Sequence, residues 1–514
     1  MPTLDPHRAP FALRRRPPAL AQSPLPVLLA LLAFAIASLW LRPTLPVDET
    51  RYLAVAWEMW WRGDFVLPWL SGEPYHHKPP LLFWLIHAGW SVFGVSEVWP
   101  RLVSPLAAVA AVFGLRALAR ALWPERPAAS ALAPLLAFGS LYLFAYASAL
   151  MFDTLLLALL LAAWLQLHRL LSAPSATAAA LFLLWASLAL LCKGPVAMLH
   201  LLAPILGWPW WRPAGQPALK RLWLPLLLTV LAALPLLLWA LAASERGGEA
   251  FRQALLFGQT LDRVQGAMGH PRPFWFYLPF LLLLTAPWSL WPRAWRALGR
   301  LRALRGDSGA RFAIATLGLA SLIHLFIAGK QVHYLIPMLA LGCLLLARLL
   351  TEADPPLRAV QRIALGGQAA LLLLLALAAV PLSAHYPLRA IGQALAAVEA
   401  QGRPIAYIGN YQGEFHFAGR LRQPIAEIAP AEALSWAQAH PQGLLFARDK
   451  RLRGALAARS EARFDYKRSP LWLLPARAFI DGAVQASEPD PADSALESDA
   501  FAIDSPTSPS PTSR

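Results

Sequence analysis

The run L-P-V-L-L-A-L-L-A-F-A-I-A-S-L-W-L, residues 25–41, is followed closely by P-V-D-E-T-R-Y-L, residues 46–53. The first stretch is apolar throughout, and a helix needs about 17–25 such residues to cross a bilayer. It is long for the apolar part of a signal peptide, and no convincing cleavage site follows it. Because three arginines precede it at positions 14–16, we interpret it as an uncleaved first membrane helix after a cytoplasmic tail, residues 1–24. Two carboxylates and a guanidinium therefore follow directly on a membrane helix.

The composition indicates an integral membrane protein. Hydrophobic residues make up 57% and charged residues 14% of the 514-residue chain, whereas soluble proteins carry about 25% charged residues. The net charge of +16 is typical of nucleic-acid binding, but it also arises when Lys and Arg gather in cytoplasmic loops. Only Cys192 and Cys343 are present, both in or at the end of apolar segments, so neither a disulfide framework nor a zinc site is indicated.

Eleven apolar runs are long enough to be membrane spans. They are Leu25–Leu41, Leu102–Leu122, Ala128–Ala147, Thr154–Leu170, Ala178–Leu191, Val196–Trp211, Leu222–Ala242, Phe274–Trp291, Phe312–Ala328, Tyr334–Leu350 and Ile363–Leu382. The run Leu81–Val95 is apolar but short, and counting it as a span would reverse the orientation of everything after it.

The positive-inside rule decides how Leu81–Val95 is placed. If it stays on the outer surface, five basic loops all fall on the cytoplasmic side, and if it crosses, they all fall outside. These loops hold Arg116, Arg120 and Arg126; His168 and Arg169; Arg212, Lys220 and Arg221; Arg293, Arg296, Arg300, Arg302 and Arg305; and Arg348, Arg358 and Arg362. We therefore predict an interfacial helix, in which Trp84 and Trp90 suit the headgroup layer. The positive charge is then mostly explained by Lys and Arg in the cytoplasmic loops, and no nucleic-acid partner is expected.

In this topology the polar residues that interrupt the apolar runs converge on the outer face. They are Asp48, Glu49, Arg51 and Lys78 in the first outer loop, Asp153, Lys193, the loop residues Arg263, His270 and Arg272, and the pair Lys330 and His333. Simpler roles exist for each residue: an acid can cap a helix, and a lysine can anchor the end of a span. Three lysines at outer boundaries nevertheless run against the positive-inside rule, so the set indicates a site.

An outer cluster of cations and carboxylates suits the transfer of a group from a lipid phosphate. Arg and Lys bind phosphate or diphosphate, and a neighbouring carboxylate can act as general base. A secondary transporter is the alternative, but its binding site would lie near the bilayer midplane, often between two related halves. Here the interiors of the spans are nearly free of charge and no halfway repeat is evident.

Several short motifs resemble one family in the same order along residues 25–385. They are D-E-T-R-Y at 48–52, Y-H-H-K-P-P at 75–80, M-F-D-T around Asp153, C-K-G-P at 192–195, H-P-R-P-F-W-F-Y-L-P at 270–279 and G-K-Q-V-H-Y at 329–334. The chain resembles the superfamily of aminoarabinose transferases and protein O-mannosyltransferases. The resemblance implies an all-α polytopic membrane protein of the GT-C fold. It also implies inverting transfer of a sugar from a polyprenyl-phosphate donor to lipid A, a protein or a glycan, on the periplasmic face of the inner membrane.

The same resemblance implies roles for individual residues. Asp48 becomes the candidate base or acceptor-orienting carboxylate, with Glu49 beside it, and Lys78 a contact of the donor phosphate. The remaining implied cavity residues are Arg51, Tyr52, Asp153, Lys193, His270, Arg272, Lys330, His333 and Tyr334. The aminoarabinose transferases typically have an acidic residue before this lysine, where this chain has His77. A divalent metal is allowed by His76 and His77 but is not required, since Lys and Arg can stabilise the phosphate leaving group; we therefore assign no metal site.

The composition changes after Leu382. The short runs I-A-Y-I-G (405–409) and G-L-L-F-A (443–447) flank the amphipathic A-E-A-L-S-W-A-Q, which predicts strand, helix and strand. We expect the transmembrane part to cover residues 25–384 and a small periplasmic α/β domain to cover 385–484. The remaining residues 485–514 are rich in Ser, Pro, Asp and Ala and are expected to be disordered.

Overall fold

The fold is a bundle of helices followed by a small sheet domain. The computed structural model describes residues 23–255, 272–326, 329–352, 355–448, 459–467 and 469–487. The predicted N-terminal tail and the residues from 488 onward lie outside these ranges, apart from residues 23 and 24.

The bundle contains long membrane helices and shorter connecting elements. Its elements are α1 (Leu25–Leu41), α2 (Asp48–Arg62), β1 (Trp69–Leu70), β2 (Glu73–Pro74), α3 (Leu81–Phe93), α4 (Val98–Leu122), α5 (Pro127–Gly139), α6 (Leu141–Tyr146), α7 (Phe152–Ser172), α8 (Ala176–Lys193), α9 (Pro195–Leu206), α10 (Trp208–Trp211), α11 (Trp223–Ala232), α12 (Leu234–Gln253), α13 (Leu278–Leu284), α14 (Pro292–Leu298), α15 (Ser308–Phe326), α16 (Ile336–Leu350) and α17 (Leu357–His385). Single 3-10 turns cover Phe274–Tyr277, Trp288–Leu290, Leu301–Leu304 and Val332–Leu335.

Among the described residues, seven helical segments are long and apolar enough to cross a membrane, and four apolar helices are shorter. The predicted polytopic all-α architecture is confirmed. Several predicted spans are nevertheless interrupted. The run Ala128–Ala147 is split into α5 and α6 at Ser140, whose backbone is extended. The run Phe274–Trp291 is divided into α13 between two 3-10 turns, and Pro287, which donates no backbone hydrogen bond, lies between α13 and the second turn.

Both ends of α3 lie at the same end of the bundle, as predicted for an interfacial helix. Lys78, just before α3, lies over the Phe152 ring at the start of α7, with its Nζ 5.7 Å from the ring centroid. At the other end, Trp90 stacks on Phe417 of the sheet domain with ring centroids 5.6 Å apart. Between them, the His87 ring is hydrogen-bonded to the carbonyl of Ala56 in α2 at 2.9 Å.

The basic loops gather at the opposite end of the bundle. Arg348 forms an ion pair with Asp307 at 2.8 Å, and Arg126 donates to the carbonyl of Thr351 at 3.1 Å. Arg311 donates to the carbonyl of Arg212 at 3.3 Å. The charges that the positive-inside rule groups together are therefore neighbours in the structure.

The sheet domain has five strands with helices on both faces. Its elements are α18 (Leu388–Ala400), β3 (Ile405–Ile408), α19 (His416–Gly419), β4 (Ala426–Ile428), α20 (Ala433–Ala439), β5 (Leu444–Arg448), β6 (Ala462–Tyr466), β7 (Ser469–Pro475) and α21 (Ala476–Ser487). The strand order is β4-β3-β5-β7-β6, in which β3 pairs in parallel with β4 and β5 and the other pairs are antiparallel. The strand, helix and strand predicted from the sequence correspond to β3, α20 and β5.

The sheet domain packs against α2 and the β1–β2 hairpin. Trp57 donates to the carbonyl of Leu421 at 2.8 Å, and the Ser71 hydroxyl donates to the carbonyl of Ile425 at 3.2 Å. Gly413, at φ 76°, lies so close that a Cβ there would be 2.5 Å from Cδ1 of Leu70. These contacts hold the sheet domain over the end of the bundle that carries Asp48.

Candidate functional site

The first part of the site is formed by the antiparallel helices α7 and α8. They are joined by a three-residue turn, so the start of α7 and the end of α8 meet at one end of the bundle. Asp153 lies in the first turn of α7, and Lys193 is the last residue of α8. A carboxylate at a helix N-terminus and an ammonium at a helix C-terminus are each favoured by the helix dipole.

Asp153 and Lys193 form a buried ion pair, and both residues are more than nine-tenths buried. The His333 Nε2 lies 3.9 Å from the second carboxylate oxygen of Asp153. The ring of Tyr334 lies beside the ammonium of Lys193, with 4.6 Å between Nζ and the ring centroid. On its other side, His333 stacks on Tyr146 with centroids 5.7 Å apart. Four of the predicted site residues are therefore in one cluster.

Lys78 adjoins this cluster. It is half-buried and close enough to Asp153 to act on it electrostatically. Its loop approaches the end of α8, where Gly194, at φ 59°, would bring a Cβ to within 3.5 Å of Pro79. The K-P motif and the K-G-P motif thus meet in space.

Asp48 lies at the start of α2, beside the Asp153 cluster. It accepts hydrogen bonds from Arg51 at 2.5 Å and from the Tyr52 hydroxyl at 3.3 Å. Burial, together with the Asp48 charge, raises the pKa of Tyr52 well above its ordinary value, so the phenol remains a donor. The Tyr52 ring meets the edge of Phe152 at 4.9 Å. The Asp48 side chain keeps 39% exposure, which leaves it accessible to a bound molecule.

Glu49 has different surroundings from its neighbour Asp48. Its carboxylate accepts two hydrogen bonds from Arg42, at 2.5 and 2.9 Å, and one each from the backbone N–H groups of Leu45 and Leu150, both at 2.7 Å. Burial alone would raise the pKa of Glu49, but the Arg42 guanidinium and these hydrogen bonds outweigh it and hold the pKa below its ordinary value. The geometry favours a structural role, in which Glu49 ties α2 to the loop before α7.

Lys330 and Arg272 form a further contact near this end of the bundle. The Lys330 ammonium donates to the carbonyl of Arg272 at 3.1 Å, and the Arg272 guanidinium lies 5.2 Å from the Phe276 ring centroid. Lys330 precedes His333 by three residues and is buried. His270 and Arg263 lie outside the described residues.

The histidines considered for a metal lie beside each other. His76 and His77 have ring centroids 4.3 Å apart, and His77 also meets the Tyr75 ring at 5.2 Å. Within the described ranges, no group of three or more His, Cys, Asp or Glu side chains is arranged to hold a metal ion. The geometry thus offers no third ligand there.

Two residues of the site were missed by the sequence analysis. Arg42 clamps Glu49 and also donates to the carbonyl of Ser148 at 3.0 Å. A signal for it was present in the sequence, because it is an arginine at the outer end of a span, seven residues before Glu49. Tyr146 stacks on His333, but a tyrosine at the end of a span is typical of an interfacial anchor.

Comparison with known proteins agrees with this fold and these motifs. The family profile of dolichyl-phosphate-mannose-protein mannosyltransferase matches residues 77–239. The undecaprenyl phosphate-alpha-4-amino-4-deoxy-L-arabinose arabinosyl transferase of Pseudomonas paraeruginosa is 31% identical over 355 residues, 66% of this chain and 61% of that relative. The chain therefore matches less than two thirds of the relative's length.

Solved structures show the same fold. ArnT from Cupriavidus metallidurans bound to undecaprenyl phosphate aligns with a TM-score of 0.69 at 16% identity, over 88% of this chain and 97% of that one. The apo state of ArnT from the same organism aligns with a TM-score of 0.70 at 16% identity, over 89% and 98% of the two chains. The chain is therefore a polytopic membrane protein with the GT-C fold of ArnT, and its resemblance to the aminoarabinose transferases and protein mannosyltransferases is confirmed.

Proposed function

We propose that this protein is an inverting glycosyltransferase that moves a sugar from a polyprenyl-phosphate donor to an envelope acceptor. The observation that carries the proposal is the cluster of two cations, Lys78 and Lys193, with the His333 ring around Asp153, adjacent to the accessible carboxylate of Asp48. Cations at the outer end of a membrane bundle are placed to bind a lipid phosphate. An accessible carboxylate there can act as a general base towards an acceptor. The fold shared with ArnT, solved with undecaprenyl phosphate, supports the same donor class.

The proposed reaction assigns a different task to each side chain. For a hydroxyl acceptor, the acceptor oxygen attacks the anomeric carbon from the face opposite the phosphate, and its proton passes to Asp48. The bond between the anomeric carbon and the phosphate oxygen breaks, and the phosphate leaves with that electron pair. Lys78 and Lys193 stabilise the charge that develops on the leaving phosphate, and Asp153 positions Lys193 and His333. A phosphate acceptor, such as one on lipid A, needs no base, and Asp48 then orients it.

We place this site on the periplasmic side of the bacterial inner membrane. The basic loops at the opposite end of the bundle support this orientation. A periplasmic reporter fused after Leu382 is expected to be active, whereas one fused near Arg302 is expected to be inactive. The reverse pattern would overturn the orientation.

The proposed donor is a polyprenyl-phosphate-linked sugar, the class that the relatives' names contain, and the proposed acceptors are lipid A, a protein or a glycan. The decisive experiment incubates the purified full chain in nanodiscs with undecaprenyl-phosphate aminoarabinose and lipid A, and follows both lipids by mass spectrometry. Formation of the glycosylated acceptor together with free undecaprenyl phosphate supports the proposal. A library of other undecaprenyl-phosphate sugars and a peptide acceptor extends the test. In a parallel experiment with the chain in sealed proteoliposomes, movement of intact donor across the membrane with no product from any pair would instead indicate a transporter.

A further inference from the structure

A separate cavity of about 930 Å³ lies between the bundle and the sheet domain. Its walls come from the end of α1, the starts of α2 and α4, the end of α17 and the sheet domain. Four guanidinium groups line it, those of Arg42, Arg101, Arg389 and Arg420. The cavity therefore lies at the predicted outer ends of three membrane helices.

The positive charge of the cavity is only partly compensated. Arg42 is paired with Glu49 and Arg389 with Glu97. The other carboxylate in the wall, Glu414, lies 3.5 Å from the ammonium of Lys467. Of the four arginines in the wall, Arg101 and Arg420 form no ion pair within the described ranges.

Arg101 bonds to carbonyl groups rather than to a carboxylate. Its Nη2 donates to the carbonyls of Ser38 and, at 3.1 Å, of Arg42. The side chain is deeply buried, since the residue is only 3% exposed. Its Nε is buried and has no hydrogen-bond partner among the described residues. Glu49 and Glu97 attract this guanidinium, but neither forms an ion pair with it within the described ranges. A buried charge with an unused donor is costly.

Arg420 likewise bonds to a carbonyl, that of Phe417 at 2.6 Å, and lies 3.8 Å from the centroid of the Phe417 ring. With Arg101, it brings two cations to the wall that have no carboxylate partner within the described ranges. Guanidinium groups bind phosphate oxygens well because each presents several N–H donors.

An apolar opening adjoins these charges. Trp40, the penultimate residue of α1, lines the cavity and is 85% exposed, and Val98 at the start of α4 is 49% exposed. Exposed Trp at the end of a membrane helix is typical of the headgroup layer. A molecule in the cavity can thus place a charged head among the arginines and an apolar chain past Trp40.

We infer that this cavity binds the phosphate headgroup of an anionic lipid, at a site separate from the Asp153 cluster. Arg42 connects the two, because it lines the cavity and also holds Glu49, the neighbour of Asp48. Lipid binding in this cavity does not require that the protein transfers a sugar. The occupant is a membrane lipid rather than a soluble phosphate.

Two substitutions with opposite expected effects test the site. The probe is phosphatidylglycerol retained by the full-length protein released from mixed phosphatidylglycerol and phosphatidylcholine nanodiscs, measured by native mass spectrometry. Arg389→Ala is expected to lower phosphatidylglycerol retention about fivefold, which is the effect of about one surface cation on an anionic lipid. Glu97→Gln removes the partner of Arg389 and is expected to raise retention. Arg389 is largely exposed, so its loss is not expected to unfold the chain.

Arg463→Ala is the matched control, because Arg463 is also an exposed arginine in an ion pair, with Asp465 on β6. It is expected to leave retention unchanged. Equal retention in Arg389→Ala and Arg463→Ala, or a fall in Glu97→Gln, would overturn the inference. Displacement of the lipid by millimolar glycerol 1-phosphate would overturn its lipid source, whereas resistance to it would support the lipid.

Discussion

Lys193 and Asp153 form an ion pair at the point where α8 ends and α7 begins, with both side chains buried. Two buried charges are tolerated in a protein only when they pair with each other. The geometry of the pair then fixes which side chains can lie around it. Here the remaining neighbours of the pair are His333 and the Tyr334 ring. The pair therefore connects the ends of three helices, α7, α8 and α16, and orients the Lys193 ammonium at the proposed donor site.

Removal of one member of this pair is expected to destabilise the protein. Asp153→Ala leaves the Lys193 charge buried without its partner, which typically costs about 3–5 kcal/mol. The double variant Asp153→Leu with Lys193→Met removes both charges at similar volume, so its thermal unfolding is expected to return close to that of the parent. Sugar transfer is expected to be lost in both variants.

A double variant that is stable and still active would show that the pair only holds the helices together. A double variant as unstable as Asp153→Ala would contradict the account of Lys193 as an uncompensated charge. Thermal unfolding in detergent separates these outcomes before any activity is measured.

Lys78→Ala is expected to weaken donor use without unfolding the chain. The side chain is half-buried and its ammonium lies over the Phe152 ring, a contact whose loss costs about 1 kcal/mol. A charge-assisted hydrogen bond to phosphate contributes about 1.5–3 kcal/mol, so the KM for donor should rise about 10- to 100-fold. Lys220→Ala, an exposed lysine at the opposite end, is the control. An unchanged KM in Lys78→Ala would remove Lys78 from the donor site.

The sequence predicted the bundle and most of the cluster because each depends on local signals. Apolar runs report spans, and the motifs around Asp153, Lys193 and His333 report residues at the outer ends of those spans. The antiparallel turn between α7 and α8 then brings Asp153 and Lys193 together. The breaks at Ser140 and within 274–291 were missed, because mean apolarity is insensitive to a local change of backbone direction.

Contacts between distant segments were not predictable in this way. Glu49 obtains its role from Arg42 and from the backbone of Leu150, about a hundred residues away. The cavity beneath the sheet domain depends on how α18 and α19 pack against α1 and α4. The periodicity of a single segment does not predict how distant segments pack. Adjacent residues such as Asp48 and Glu49 are therefore indistinguishable in the sequence until that packing is known.

Glu49→Gln is expected to affect stability rather than chemistry. Glutamine has one acceptor oxygen where Glu49 uses two, so it cannot satisfy Arg42 and both backbone N–H groups. Breaking a buried charge pair costs about 3–5 kcal/mol. Turnover per folded molecule is expected to stay near that of the parent. A large fall in turnover at unchanged stability would return Glu49 to the catalytic candidates.

The Arg42–Glu49 pair also predicts how stability depends on pH. The folded state lowers the pKa of Glu49 from its ordinary value of 4.5, so the unfolded chain takes up the proton first. The stability that the pair contributes is present above pH 4.5 and is lost progressively as the pH falls below it. Denaturation midpoints between pH 7 and 3 should fall less steeply in an Arg42→Met, Glu49→Leu double variant. Equal slopes would show that Glu49 is not a source of the acid sensitivity.

Asp48→Asn distinguishes two roles for Asp48 in the stretch P-V-D-E-T-R-Y-L, the start of a helix and the carboxylate that acts on the acceptor. Asp48 is the first residue of α2 and makes no capping hydrogen bond, so the capping role expected from the sequence is wrong. If Asp48 only begins α2, the amide should behave almost normally, because its oxygen can still accept from Arg51 and Tyr52. If Asp48 takes the acceptor's proton or orients the acceptor, Asn preserves its size but cannot supply the charge. Loss of general-base help typically lowers the rate about 10²- to 10⁴-fold.

We expect the larger effect, because Asp48 is the more exposed of the adjacent acids and is held by Arg51 and Tyr52 in one orientation. Turnover with a hydroxyl acceptor should fall by that factor while thermal unfolding stays within about 1 kcal/mol of the parent. Near-normal turnover would assign Asp48 to the start of α2 alone and would transfer the role of base to Asp153, the other carboxylate of the cluster.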